Sequence, residues 1–305
     1  MAEKQLTLPG QIVKKHNHLV RSKINLNSVL GSKILANLIA CIHKDDKEFK
    51  DVYRISIKSF LPALGGGNYS QVKEVCRELV KATVEIEFFT PDGRRVFHPS
   101  PFFSSLKYTD GEGFIEARFN SLEPYISKCL LDLSQHFTKI NLIEYLKLPS
   151  IYSQRIYEIL KSWDDKPEVH ISLENLHHML NTPKSFKSNF AQFRRFVLKK
   201  AYDDINTKTS DMEFEWEPVK KGKAVVAIHF IFDRKRISDI RKEKEAKDRN
   251  KNSAQTNKRI LEAVDCFKIK NKNCSIRDNK PVICAACEEF GQVPKATSLL
   301  TKQHS

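Results

Sequence analysis

Apolar residues recur with helical spacing across 186–205. Phe186, Phe190, Phe193, Val197 and Ala201 follow at intervals of 4, 3, 4 and 4, which places them on one side of a helix. Ser188, Gln192, Arg195 and Lys199, spaced 4, 3 and 4, take the opposite side, and no carboxylate stands among them. His170–Leu180 reads as a preceding helix, followed by a short polar turn. Two apolar runs come next, Met212–Val219 and Ala224–Phe232, joined by Lys220-Lys221-Gly222-Lys223. This is the pattern of a strand pair with a basic tip. Helix, turn, helix and two-stranded ribbon is the order of a winged helix-turn-helix.

The same order is predicted earlier in the chain. Ser28–His43 forms a helix with Ile34, Leu35, Leu38, Ile39 and Ile42 as its buried stripe. Ile55-Ser56-Ile57 leads into a short helix ending near Leu64, and Gly65-Gly66-Gly67 turns the chain. Asn68, with Gln71 three residues on, resembles a capping box at the head of the next helix. Val72, Val75, Cys76 and Leu79 face inward there. Ser70, Glu74, Arg77 and Lys81 face outward, again spaced 4, 3 and 4. Strands follow at Val84–Thr90, Val96–Tyr108 and Phe114–Phe119, with Pro91-Asp92-Gly93, Arg94 and Arg95 at the first turn. The second unit has its own leading helix, Tyr152–Trp163, with Tyr152, Ile156, Ile159, Leu160 and Trp163 as its stripe. Residues 55–64 (ISIKSFLPAL) and 171–180 (ISLENLHHML) are also alike. The expected fold is therefore α+β: two tandem winged-helix domains, each a helix-turn-helix plus β-wing, related by duplication.

These elements divide the chain into an arm (1–27), a first domain (28–133), a second domain (134–245) and a tail (246–305). A helix from Ser121 to about Leu133, then Phe137-Thr138-Lys139-Ile140, forms the join. Arg234–Lys251 is almost entirely charged and could extend a helix out of the second domain or form a solvated linker, of which the linker is the expected reading. The tail holds one possible helix, Asn257–Phe267, and Cys266, Cys274, Cys284 and Cys287. Only the last two are spaced as metal ligands, and a structural zinc site usually needs two such pairs.

Composition narrows the partner. The 305 residues include 52 Lys and Arg against 37 Asp and Glu, a net charge of +15, which calls for a polyanion, either nucleic acid or an anionic membrane surface. No apolar run reaches eighteen residues, so no membrane span is expected, and the expected polyanion is double-stranded DNA, with no membrane partner. Seven cysteines, an odd number in a long chain, suit a reducing cytoplasm better than a disulfide framework. With DNA as the partner, the residue types acquire roles. Gln192 suits adenine and Arg195 suits guanine, while Ser188 and Lys199 can hold phosphates. Lys187 and Arg194 flank them, and Lys220, Lys221 and Lys223 stud the wing tip. In the first unit the candidates are Ser70, Lys73, Arg77 and Lys81 on the helix and Arg94 and Arg95 at the turn.

Catalytic chemistry finds no support in the sequence. Neither Gly65-Gly66-Gly67 nor Gly31-Ser32-Lys33 completes a phosphate-cradling GxxxxGK[ST] loop. A nicking endonuclease needs a His-hydrophobic-His metal element and a nucleophilic Tyr. His177 and His178 are adjacent and diverge on a helix, His16-Asn17-His18 has a polar centre and no strand context, and His229 reads as a core histidine. No catalytic residue, cofactor or metal is expected. A dedicated transcriptional repressor is the alternative function, and a rolling-circle nicking endonuclease a more distant one.

Four stretches resemble the iteron-binding, theta-replicating class of plasmid replication initiators, the pi-protein type. They are Ile12–Val20, Phe137–Leu148, Tyr152–Trp163, and Phe193–Ala201 with Asp204-Ile205-Asn206, the Lys221-Gly222-Lys223 wing and Ile228-His229-Phe230. The resemblance covers residues 10–235 and leaves the tail unassigned. It implies tandem winged-helix domains in a bacterial cytoplasmic protein that binds directly repeated iterons as a monomer. It further implies dimers that bind an inverted repeat and repress the protein's own gene, origin opening, and recruitment of the host replication initiator and helicase. Glu74 departs from a purely basic reading helix: it repels phosphate but can accept a bond from cytosine N4.

Overall fold

The computed structural model describes residues 6–57 and 69–233, together with 235–243, 245, 246, 248, 249 and 255. The chain opens with β1 (Ile12–His16), α1 (Asn17–Arg21), β2 (Lys23–Asn25) and α2 (Val29–Ala40), which Ser28 caps by accepting the Gly31 N–H at 3.1 Å. The first unit continues through β3 (Tyr53–Ser56), α3 (Tyr69–Val80), β4 (Thr83–Phe89), β5 (Arg95–Pro101), β6 (Phe103–Tyr108) and β7 (Phe114–Phe119). A connection of α4 (Pro124–Leu131), β8 (Phe137–Asn141) and α5 (Leu142–Lys147) leads to α6 (Ile151–Lys161). The second unit adds β9 (Glu168–Ser172), α7 (Leu173–Met179), α8 (Lys184–Ser188), α9 (Phe190–Phe193), a π-helical turn (Arg194–Lys199), α10 (Lys200–Lys208), β10 (Glu215–Lys221) and β11 (Ala224–Ile231).

The two units share a topology. Each has a three-stranded antiparallel sheet in which the last strand lies in the middle: β3-β7-β6 in the first and β9-β11-β10 in the second. The two similar segments fall at equivalent places, with Ile55-Ser56 ending β3 and Ile171-Ser172 ending β9. The first part of the expected helix His170–Leu180 is thus strand, and Ser172 caps α7 by accepting the Asn175 N–H at 3.2 Å. The turn helix ending near Leu64, the triple glycine and the Asn68 cap lie outside the described residues.

Topology also corrects the first wing. Val96–Tyr108 is not one strand, because the chain breaks at Phe102 and enters a second sheet. β5 pairs with β4, which pairs with β2, whereas β6 pairs with β7. Phe102 is fully buried at the crossing point. The β4–β5 hairpin is therefore an insertion. The turn equivalent to the second unit's basic wing is Thr109–Gly113, which carries Asp110 and Glu112 instead of Lys.

The arm is part of the core. β1 pairs with β8 along its length, from Ile12 opposite Asn141 to His16 opposite Phe137. Val13, Leu19 and Val20 are completely buried. His16 therefore ends a strand, contrary to the expected lack of strand context. A cut at 133/134 would separate β8 from β1, so the structure does not divide there, and residues 1–234 form one compact unit. Residues 235–243 are helical, which favours the helical reading of this stretch over the expected solvated linker. The candidate helix Asn257–Phe267 and the four tail cysteines lie outside the described residues.

Helix α6 ties these pieces together. Every residue from Ser153 to Leu160 is buried, so the helix has no solvated face. Its polar side chains all reach neighbours. Glu158 takes a bond from Lys15 at 2.6 Å and from Arg155 at 2.6 Å. Arg155 also donates to the carbonyls of Val20 and Ser22 at 3.0 Å and of Met179 at 3.3 Å. Burial alone would raise the Glu158 carboxyl, but the charges of Lys15 and Arg155 hold it below the usual carboxylate range. Burial lowers the Lys15 ammonium, and Glu158 restores it only in part. Ser153 donates to Asp204 at 2.7 Å, and Tyr157 donates to Asp211 at 2.8 Å. At the far end the Arg21 guanidinium lies 3.8 Å from the Trp163 ring centre and donates to the Ser162 carbonyl at 2.6 Å. One helix thus positions the amino-terminal strand, α7 and α10.

Candidate nucleic-acid interface

The second unit presents its outer helix face on a rigid base. Phe193, Val197, Ala201 and Ile205 are fully buried, as the apolar spacing requires. Gln192, Arg194, Arg195, Lys199 and Lys200 are exposed. The helix does not run unbroken from Phe186. Asn189 is extended (φ −134°, ψ 92°), and its side chain accepts the Gln192 N–H at 3.1 Å, capping a new start. Ser188 consequently lies on the preceding α8, where its hydroxyl donates to the Ser185 carbonyl at 3.2 Å. It does not continue the line of Gln192, Arg195 and Lys199. Lys187 shares α8 and is exposed.

Two further features alter the expected stripe. The π-helical turn widens the helix at Arg194–Lys199, a distortion that clusters at functional positions, so a strict 3.6-residue spacing no longer describes this face. The next position along the line is Asp203, which takes the Lys199 ammonium at 3.0 Å. The face therefore ends in an acid that the shorter pattern missed. Arg194 and Arg195 have no such partner among the described residues and are exposed.

The first wing strand is shifted toward the tip: it runs Glu215–Lys221 and not Met212–Val219. β10 reaches Lys221 and pairs it with Ala224, leaving Gly222 and Lys223 as a two-residue loop. Gly222 has φ +62°, the left-handed region that its missing side chain permits at this position of a tight hairpin. Lys220, Lys221 and Lys223 are all exposed. Successive strand residues point to opposite faces, so Lys220 and Lys221 flank the ribbon instead of forming one cluster.

In the first unit the candidates are largely engaged. Lys73 on α3 pairs with Asp110 of the wing-equivalent turn at 2.8 Å, and Arg77 pairs with Glu74 at 2.8 Å. Glu74 thus binds its own neighbour. Lys81 is exposed just past α3. Ser70 lies in α3, but its side chain is outside the described residues. Arg94 pairs with Asp92 and Arg95 with Glu87, both on the inserted hairpin and not on the wing. The two units are therefore unequal in degree: Arg194, Arg195 and the wing lysines of the second have no ion pair among the described residues, whereas Lys73, Arg77, Arg94 and Arg95 of the first are paired with acids and Lys81 alone of its candidate cations is not.

The histidines have structural partners. His229 bonds Glu168 at 2.9 Å, and its ring stacks on His170 with centres 4.0 Å apart. His177 is buried against Phe193 and bonds Thr182 at 2.7 Å, while His178 is exposed, so the adjacent pair does diverge. Burial lowers the His177 pKa. Among the described residues no helix is long and apolar enough to cross a membrane.

Two winged-helix units on one basic chain, one of them with an open cationic helix face, define a tandem winged-helix DNA-binding protein. The chain belongs to the initiator replication proteins: the family's first winged-helix model (Initiator Replication protein, WH1) matches residues 12–161, and its second (Initiator Rep protein, WH2) matches residues 172–232. The boundary between the models falls after α6, which assigns the hub helix to the first domain. Among solved structures the chain is similar to the Pi initiator protein, determined in complex with iteron DNA. The identity is 21%, the match covers 73% of this chain and 97% of that chain, and the TM-score is 0.55. It also matches the WH1 domain of MSBI1.176, a replication protein isolated from a multiple sclerosis patient. There the identity is 18%, the match covers 34% of this chain and 81% of that chain, and the TM-score is 0.26. Comparison with curated proteins gave no match.

Proposed function

We propose that this plasmid replication initiator acts by binding directly repeated iteron DNA at its origin as a monomer. The observation that carries this reading is the exposed face of Gln192, Arg194 and Arg195, anchored on a buried apolar stripe and flanked by the Lys220–Lys223 wing. The helix enters a major groove, where Gln192 and Arg195 meet base edges. The wing lysines, Lys187 and Lys199 lie along phosphates, which fix register without reading sequence. The Pi initiator's solved complex with iteron DNA supports iteron DNA as the ligand of a chain of this fold.

The first unit takes a neighbouring groove with a weaker grip, since Lys73 and Arg77 must leave their acids to meet phosphate. Dimers bind an inverted repeat and repress the protein's own gene, and origin-bound monomers recruit the host replication initiator and helicase. Binding and recruitment, not catalysis by this chain, drive origin opening in the cytoplasm of a bacterial host. The test is replication in a cell. A plasmid carrying only a marker and the DNA flanking this gene should persist when the chain is supplied in trans, and should be lost without it. Persistence without the chain, or loss with it, removes the reading; repression of the gene's promoter without replication would instead make the chain a dedicated repressor.

A further inference from the structure

Phe196 occupies a place that neither the buried stripe nor the charged face explains. It lies four residues after Gln192 and three before Lys199, on the outer side of the helix, and 49% of it is exposed. An isolated exposed apolar side chain is ordinary on a protein surface. What distinguishes Phe196 is how it is held. Its ring stacks on that of Phe186 with centres 6.4 Å apart and planes within 14°. Phe186 in turn meets Tyr152 of α6 at 6.1 Å. The Arg195 guanidinium lies 5.1 Å from the Phe196 ring centre. A row of three aromatic rings thus runs from the hub helix to the reading face. It fixes an apolar ring among Gln192, Arg195 and Lys199 with part of that ring open to solvent.

The surroundings select the occupant. A protein-docking face would be a contiguous apolar patch of several hundred Å², but the exposed neighbours of Phe196 along the helix are polar or cationic. Positive charge around a single apolar contact suits the major groove. The apolar feature that a base edge presents there is the C5 methyl of thymine.

We infer that Phe196 is a specificity-determining residue that reads a thymine methyl beside the base contacted by Arg195. The inference rests on the DNA-binding reading above and adds to it one base preference and its chemical basis. The α8 segment, through Phe186, positions the ring.

The experiment uses the full chain and a duplex that it protects from the DNA flanking its gene. Each thymine is replaced in turn by deoxyuridine, which removes only the methyl group. At one or two positions the substitution should weaken wild-type binding about fourfold, the value of one buried methyl-sized group. In Phe196→Ala the same substitutions should have no effect, while deoxyuridine elsewhere should act as in wild type. Phe196→Leu, which keeps the helix covered, should retain part of the sensitivity and supplies the comparison if the alanine variant does not fold. Equal deoxyuridine effects in wild type and both variants, or no sensitive thymine at all, would overturn the inference. Failure of the wild-type chain to bind any flanking duplex above competitor would instead remove the DNA-binding reading beneath it.

Discussion

Glu158→Gln should be among the most destabilising single changes in the chain. Glu158 is 2% exposed and faces two cations, Lys15 at 3% and Arg155 at 7% exposure. Glutamine keeps the shape and removes the charge, which leaves two buried cations with no anion. Breaking a buried pair from one side costs about 3–5 kcal/mol, because the remaining charge stays desolvated. With a urea m-value of about 2–3 kcal/mol/M, the unfolding midpoint should fall by about 1–2 M. Lys15→Met should cost much less, since the Arg155–Glu158 pair survives it. In the double variant the loss should be smaller than the sum of the singles, as expected for residues in one network. Equilibrium urea unfolding followed by circular dichroism measures all three. A midpoint shift below about 0.3 M for Glu158→Gln would show that the hub does not depend on this charge.

Acidity probes the same network. Glu158, Glu144 and Glu116 are held below the usual carboxylate range, Glu158 against its burial by Lys15 and Arg155, Glu144 by its bonds from Lys147 and Ser210, and Glu116 by its bond from Arg54. Their stabilisation is full above the unfolded carboxylate pKa and is lost as pH falls through the folded values, so acid unfolding should be less steep in Glu158→Gln. Arg195→Ala should reduce discrimination at one base pair by about 1–3 kcal/mol, read as the ratio of affinities for cognate and scrambled duplex at fixed salt; an unchanged ratio refutes the contact. Replacing Lys220, Lys221 and Lys223 together by Ala should weaken all duplexes alike and make the log K against log salt slope shallower by up to about 0.9 per lost phosphate contact; an unmoved slope takes the wing off the backbone. Asp110→Asn should release Lys73 and steepen that slope by up to about one contact; no change would mean that Lys73 faces no phosphate.

The units were legible in the sequence because their cores obey simple periods. Phe193, Val197 and Ala201 are buried as their spacing requires, and β7 spans Phe114–Phe119 as its flanking turns mark it. The errors have local causes. Ser188 dropped out of the face because Asn189, a good cap, restarts the helix there. The strands of the first unit were misjoined because nothing in Val96–Tyr108 marks the break at Phe102, and only strand pairing shows that β6 and β7 are the wing strands. Phe196 was passed over because it belongs to neither stripe of a two-sided helix. The arm's place in the core was not legible because Lys15 is charged and the partner that allows its burial, Glu158, lies 143 residues away. The resemblance singled out Tyr152–Trp163, but periodicity within it pointed only to the apolar stripe, not to Gln154, Arg155 and Glu158. That division of labour also rules out separating the units at 133/134 to compare them, since such fragments would lose the β1–β8 pairing and the Lys15–Glu158 bond.

On the proposed function, one chain places two unequal units on one repeat, the second holding harder. Hydroxyl-radical footprinting of the full chain on a single direct repeat tests it most directly, with Arg195→Ala and Lys81→Ala measured beside wild type. Wild type should give continuous protection over about two helical turns, roughly 20 base pairs, with Arg195→Ala erasing most of it and Lys81→Ala thinning only the first unit's half. Protection confined to one turn, or a greater loss from Lys81→Ala than from Arg195→Ala, would contradict it.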